Sequence, residues 1–184
     1  MAHEQGLGVD DVTAAALRAR RGDSAAAAAF VRATQADVWR LCAHLGSVQT
    51  ADDLTQDTYA RAFGSLHRFA GRSSARTWLL SIARRVCADA IRTAQRERRL
   101  PPPQVVSVED PAGGVAVRAL VSALDADRRD AFVLTQVLGL SYAEAAEVCG
   151  CPVGTIRSRV ARARGDLLDG LGEGGAGQSR TSAG

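Results

Sequence analysis

Four arginines, Arg157, Arg159, Arg162 and Arg164, fall in a segment, 155–165, that holds no acidic residue. A guanidinium presents paired donors in a rigid fork that matches phosphate oxygens and the major-groove edge of guanine. Wound as a helix, the segment puts Ser158 and Arg162 on one side with Thr155 and Arg159 at its edges, and Arg157 and Arg164 on the flank. The first group can reach base edges, and the flank pair can hold phosphate. Opposite them, Ile156, Val160, Ala163 and Leu167 step by four, three and four, a stripe that must be buried.

Such a helix needs a support that turns its charged side outward, and the preceding residues supply one. Ser141 with Glu144 forms a capping box, Ala145, Ala146 and Val148 make a small apolar face, and Gly150 ends the helix. Pro152 and Gly154 shape the turn, and Thr155 is the expected N-cap of the next helix. Helix, tight turn and basic helix over Ser141–Leu168 read as a helix-turn-helix, which points to DNA. The alternative is a solvated basic face on a helical hairpin.

Two further clusters lie upstream. In ADDLTQDTYARAFGSL, headed by an expected capping box of Thr50 with Asp53, a helix spreads Leu54, Tyr59, Ala62, Phe63 and Leu66 over one face. Asp53, Gln56, Asp57, Ala60, Arg61 and Gly64 gather on the other. Ala60 and Gly64 are too small to fill space, so this polar face is either an acidic docking surface for another protein or a solvated face.

The other cluster is RSSARTWLLSIARRVCADAIR, a Gly/Ser-rich loop running into a helix expected from Ala75 to Arg92. Leu79, Ala83, Val86 and Ala90 form its inner side and Trp78, Ser81, Arg85, Asp89 and Arg92 its outer side. From Arg72 to Arg99 eight arginines stand against two acids, the most basic stretch of the chain. An aromatic beside arginines can stack a base and hold the backbone next to it. The competing reading half-buries Trp78 in the core and leaves the arginines solvated.

The 184 residues suffice for one ordinary domain or two small ones. With 23 basic and 20 acidic residues the net charge is only +3, so affinity for DNA must come from these local clusters. All the Lys and Arg positions are arginine, which with abundant Ala and Gly reflects GC-rich coding as much as phosphate recognition. No apolar run reaches eighteen residues and the start, MAHEQGLGVDD, lacks a signal-peptide core, so a cytoplasmic protein without membrane insertion is expected. Cys42, Cys87, Cys149 and Cys151 lack metal-ligand spacing with a second pair or a nearby His, and are expected to be small buried thiols. No metal, cofactor or enzyme activity is expected, because paired carboxylates, a nucleophile with its base and a phosphate-cradling glycine loop are all missing.

The remaining sequence frames these clusters. A short helix from Asp11 to Arg21 breaks at Gly22-Asp23; Ser24 then caps a long helix to Leu45, with Phe30, Val31, Thr34, Val38, Leu41 and Leu45 inside. Its run of five alanines implies close helix contact. Helices from about Val115 to Ala123 and from Asp127 to Leu138 supply packing partners for the helix-turn-helix. The expected fold is all-α: two small helical domains, 11–95 and 115–171, joined by a flexible proline-rich linker, 96–114, and followed by a disordered tail, 172–184.

The motifs DDLTQDTYARAF, RSSARTWLLSIARRVCADAIR and LGLSYAEAAEVCGCPVGTIRSRVARAR, in that order around a linker, resemble the extracytoplasmic-function (group 4) sigma factors of bacterial RNA polymerase, in the sigma-70 family. The resemblance covers about Val12 to Leu171. It implies a region 2 bundle followed by a region 4 helix-turn-helix domain, and an alternative sigma factor directing initiation through −10 and −35 elements. The implied partners are core polymerase, at the clamp helices of its largest subunit and at the flap, and promoter DNA; many relatives also have an anti-sigma factor.

Carried onto matching positions, the resemblance assigns Asp53, Gln56, Asp57 and Arg61 to polymerase. Arg72, Ser73, Ser74, Arg76, Thr77 and Trp78 fall at the melted −10 strand, with Arg84, Arg85 and Arg92 on backbone or duplex just upstream. Thr155, Arg157, Ser158, Arg159, Arg162 and Arg164 fall at the −35 element. Binding energy then offsets roughly a few kcal/mol for each flipped base. Two other readings differ in kind. A self-sufficient transcriptional regulator needs a dimer and a palindromic site, and an interaction protein that sequesters an inhibitor would leave the basic helix idle.

Overall fold

The computed structural model describes residues 9–97 and 114–177, and every regular element among them is helical. The first compact unit is built on α1 (Val9–Ala19), α2 (Ser24–Leu45), α3 (Ala51–Ser65) and α4 (Ala75–Glu97), with a 3-10 turn at Leu66–Arg68. The second is built on α5 (Gly114–Ala123), α6 (Ala126–Phe132), a π turn (Val133–Val137), most of α7 (Tyr142–Cys149), and α8 (Val153–Gly177).

In the first unit the apolar stripes of the long helices meet as their spacing predicts. Phe30, Val38 and Leu41 of α2 and Leu79, Ala83 and Val86 of α4 are buried, with Val31 half-buried and Ala90 at the margin. The inner side of α4 is wider than the four expected residues, since Leu80, Ile82 and Cys87 are buried as well. Of the alanine run only Ala26 is fully buried, so the run serves helix formation more than contact. Two bonds tie α1 and the residue after it to the start of α4 and the loop before it: Ala75 N donates to Thr13 Oγ1 at 3.0 Å, and Arg20 donates to the Phe69 carbonyl at 2.7 Å.

Two expected caps shift by competition between neighbours. Asp23, not Ser24, caps α2, its carboxylate accepting from Ala26 N at 2.9 Å. Thr50 makes no capping bond to α3, because its hydroxyl exchanges hydrogen bonds with Ser47 instead. On α3, Phe63 is 40% exposed rather than buried, and Thr58 takes the inner position, donating to the Leu54 carbonyl at 2.7 Å.

The second unit closes over Val133, Leu134, Ile156, Val160 and Ala163. Where one helix is expected from Asp127 to Leu138, α6 widens into the π turn, with Leu138 N bonded to the Val133 carbonyl five residues back. α8 runs to Gly177, past the glycine at 172 where a tail is expected, since extending a formed helix adds one bond for each residue fixed. The expected linker contributes Arg96 and Glu97 to α4 and Gly114 to α5, while its remainder, 98–113, and the tail beyond 177 lie outside the described residues. Cys42 and Cys87 are buried free thiols, and a hydrogen bond from Cys87 lowers the Cys42 pKa; Cys149 and Cys151 are half-exposed, against the expectation of burial.

Candidate nucleic-acid and protein interfaces

The capping box of α7 forms as its sequence dictates: Glu144 accepts from Ser141 N at 2.8 Å and from its hydroxyl at 2.7 Å, and Ser141 Oγ accepts from Glu144 N at 3.2 Å. Gly150, at φ 65°, ends α7, and Cys151 N donates back to the Ala146 carbonyl at 3.1 Å. α8 begins at Val153, two residues before the expected Thr155 cap, with Thr155 N donating to the Pro152 carbonyl at 2.9 Å. Ile156, Val160 and Ala163 are buried and Leu167 half-buried, so the stripe faces inward.

On the outer side Arg157, Ser158, Ala161, Arg162 and Arg164 are exposed and Thr155 is half-exposed. Ala161 was not among the expected residues, although it stands between Ser158 and the Arg157–Arg164 flank on the exposed side. Its methyl suits contact with a thymine methyl. Arg164 donates to Gln136 Oε1 at 2.7 Å. Arg159 is only 20% exposed and forms an ion pair with Asp127 of α6, while donating to Cys151 Sγ at 3.6 Å. The acid missing from segment 155–165 is therefore supplied by another helix. Arg128 of α6 and Asp166 of α8 pair at 2.7 Å, which raises the Arg128 pKa.

In the first unit Asp53, Gln56, Asp57, Ala60, Arg61 and Gly64 all lie exposed on α3, and nothing stands within 4 Å of where a Gly64 Cβ would be. Alongside runs a groove of about 550 Å³ lined by Gln35, Trp39, Arg40, Asp52, Thr55 and Gln56. Trp39, 37% exposed, donates from Nε1 to Asp52 Oδ1 at 2.8 Å. The α2 side of this groove escaped the sequence reading. Its one signal is a large aromatic that falls off the stripe of Phe30, Thr34, Val38 and Leu41.

The residues expected at a melted strand divide. Arg72 is exposed and Ser73 half-buried. Ser74 caps α4, accepting from Thr77 N at 3.0 Å and donating to Thr77 Oγ1 at 2.8 Å. Thr77 is buried beneath this cap. Arg76 pairs with Asp37 of α2 at 2.7 Å and is largely covered. Trp78 is half-buried, its ring 4.9 Å from that of Phe69, so the loop shares in setting its orientation. Further along α4, Arg84 is half-buried and Arg85 exposed. Asp89 accepts from Arg61 of α3 at 2.8 Å and from Arg92 at 2.5 Å, and these bonds hold its carboxyl below the usual range.

Among the described residues no group of three metal-ligating side chains is present, and no helix is long and apolar enough to cross a membrane.

The family models of sigma-70 region 2 and sigma-70 region 4 match residues 30–97 and 114–167. The extracytoplasmic-function RNA polymerase sigma factor SigC of Mycobacterium tuberculosis is 54% identical over 165 residues, covering 85% of this chain and 89% of that protein. The sigma factor EcfG of Rhodopseudomonas palustris is 35% identical over 139 residues, covering 66% and 71%. Among solved structures, the sigma factor RpoE of Bartonella quintana, in complex with the anti-sigma factor NepR, superposes with a TM-score of 0.68 at 30% identity, over 77% of this chain and 93% of that one. CnrH, in complex with the cytosolic domain of CnrY, gives 0.73 at 26% identity, over 89% and 99%. With both regions matched in order and a relative of that identity matched along most of its length, the chain belongs to the extracytoplasmic-function sigma factors of RNA polymerase.

Proposed function

We propose that this chain works in the cytoplasm as an alternative sigma factor, with domains close to 11–95 and 115–171 that engage core polymerase and promoter DNA. The exposed face of α3, with Asp53, Gln56, Asp57 and Arg61, and the adjoining Trp39 groove dock on the clamp helices. The observation that carries this is the run of short and acidic side chains exposed along α3 beside an open groove. Small residues let a partner helix come close, and carboxylates select a basic one.

The loop from Arg72 and the start of α4 hold the melted −10 strand. Arg72, Ser73 and Trp78 face it, Ser74, Arg76 and Thr77 fix the loop's shape, and Arg84, Arg85 and Arg92 bear on backbone or upstream duplex. On α8, Arg157, Ser158, Ala161 and Arg162 meet the −35 element, with Thr155 and Arg164 at its edges. The protein supplies binding energy and the polymerase the chemistry. An anti-sigma factor covering α3 and its groove would silence the chain, the kind of partner with which RpoE was solved.

Size-exclusion co-elution with bacterial core polymerase at moderate salt tests the docking face. Stoichiometric co-elution is expected, and Asp53→Ala, a surface change, is expected to lower affinity about three- to tenfold while leaving the thermal melt unchanged. A variant that melts early, or binds as well as the parent, removes Asp53 from the interface.

A further inference from the structure

We infer that Arg159 positions the recognition helix and neutralises Asp127 beside the DNA, rather than reading a base, and that Asp127 holds it in that role. This rests on α8 being the −35 helix. Sequence alone groups Arg159 with Arg162 as able to reach base edges, but their surroundings differ. Arg157, Arg162 and Arg164 are exposed, whereas the Arg159 side chain keeps 20% of its surface. Its two terminal nitrogens are both engaged, Nη2 by Asp127 Oδ2 on α6 and Nη1 by Cys151 Sγ in the turn.

Reading guanine takes two donors from one fork. Both terminal nitrogens of the Arg159 fork already hold a protein acceptor and its side chain is largely covered, which disfavours that use. The ion pair also has a second consequence, because the Asp127 side chain is 52% exposed and stands beside a surface meant for a polyanion. Without Arg159 that carboxylate would repel phosphate whatever the sequence. Arg159 therefore ties α8 to α6 and to the turn, fixing the presentation of Arg157, Ser158 and Arg162, and cancels a charge that would oppose binding.

The test uses the full chain in polymerase holoenzyme, with promoter fragments randomised through the −35 element, and measures base preference and salt dependence together. Arg159→Gln is expected to weaken binding about three- to tenfold on all −35 variants with the order of preference intact. Adding Asp127→Asn should recover most of that loss, a rescue that a purely structural defect would not allow. Flattened preference at a single base pair in Arg159→Gln, or a double variant no better than the single one, overturns the inference.

Should Arg159→Gln fail to fold, Asp127→Asn alone carries the test. Freeing Arg159 should steepen the salt dependence by about one phosphate contact and lower the ratio of specific to non-specific binding. An unchanged slope and ratio overturn the inference. Arg162→Ala, run beside these, should relax preference at one position. If neither it nor Arg157→Ala alters −35 binding, the assignment of α8 itself fails.

Discussion

Asp89 sits between two arginines proposed to meet different partners, Arg61 of α3 polymerase and Arg92 of α4 DNA. Its carboxyl is held low by both, so the contacts persist at neutral pH and are lost only as pH falls below the ordinary carboxylate range. All three groups are well exposed, and the pair contributes orientation more than stability. Tyr59 is the opposite case. Its hydroxyl lies 2.7 Å from Thr34 Oγ1, and burial pushes the phenol from 10.0 up to about 12. A raised pKa means the folded state favours the neutral phenol, so the associated stability is complete below pH 10 and is lost as pH rises towards about 12. Thermal melts taken from neutral to alkaline pH should show this loss in the parent chain and a shallower one in Tyr59→Phe. Parallel curves would mean that the phenol is not held neutral by the fold.

At the scale of elements, the joint between α2 and α3 is set by a close approach. A Cβ added to Gly46 would stand 2.8 Å from Leu54 Cδ1 and 3.0 Å from the Cys42 carbonyl oxygen. The carbonyl belongs to the last turn of α2, where it accepts from Gly46 N at 2.8 Å, so it cannot withdraw without breaking that bond. Gly46→Ala is therefore expected to destabilise the first unit by about 1–3 kcal/mol in denaturant unfolding. Unchanged stability would show that the corner relaxes freely. Gly64→Ala makes a matched comparison, since no atom stands within 4 Å of its Cβ position and replacing glycine in a helix is mildly stabilising.

At the scale of the molecule, the surfaces proposed to meet the −10 and −35 elements fall in separate compact units, and the chain's net charge of +3 gives little general attraction to duplex DNA. Polymerase supplies what the charge does not, holding both units on one promoter so that the second contact becomes intramolecular. The free chain should bind promoter duplex at least about 100-fold more weakly than the holoenzyme does, in matched-salt titrations. Tight, specific binding by the free chain would instead indicate a self-sufficient regulator.

The helices were legible because helix formation is local. A period of 3.6 residues, the capping box at Ser141 and the glycine stop at Gly150 are each contained within a few neighbouring residues. The same locality made the exposed face of α3 and the stripe of α8 readable from spacing alone. It misplaced the cap of α2 because Asp23 and Ser24 are adjacent competitors, and it missed the Trp39 groove, whose walls come from two helices. Only the tertiary structure decided which charges meet: Arg159 with Asp127, 32 residues apart, Arg76 with Asp37, 39 apart, and Arg61 with Asp89, 28 apart. An arginine ends its long, flexible side chain on whichever acceptor the packing of other helices brings within reach. Sequence therefore determined which surfaces are charged, and folding determined which of those charges remain available to a partner.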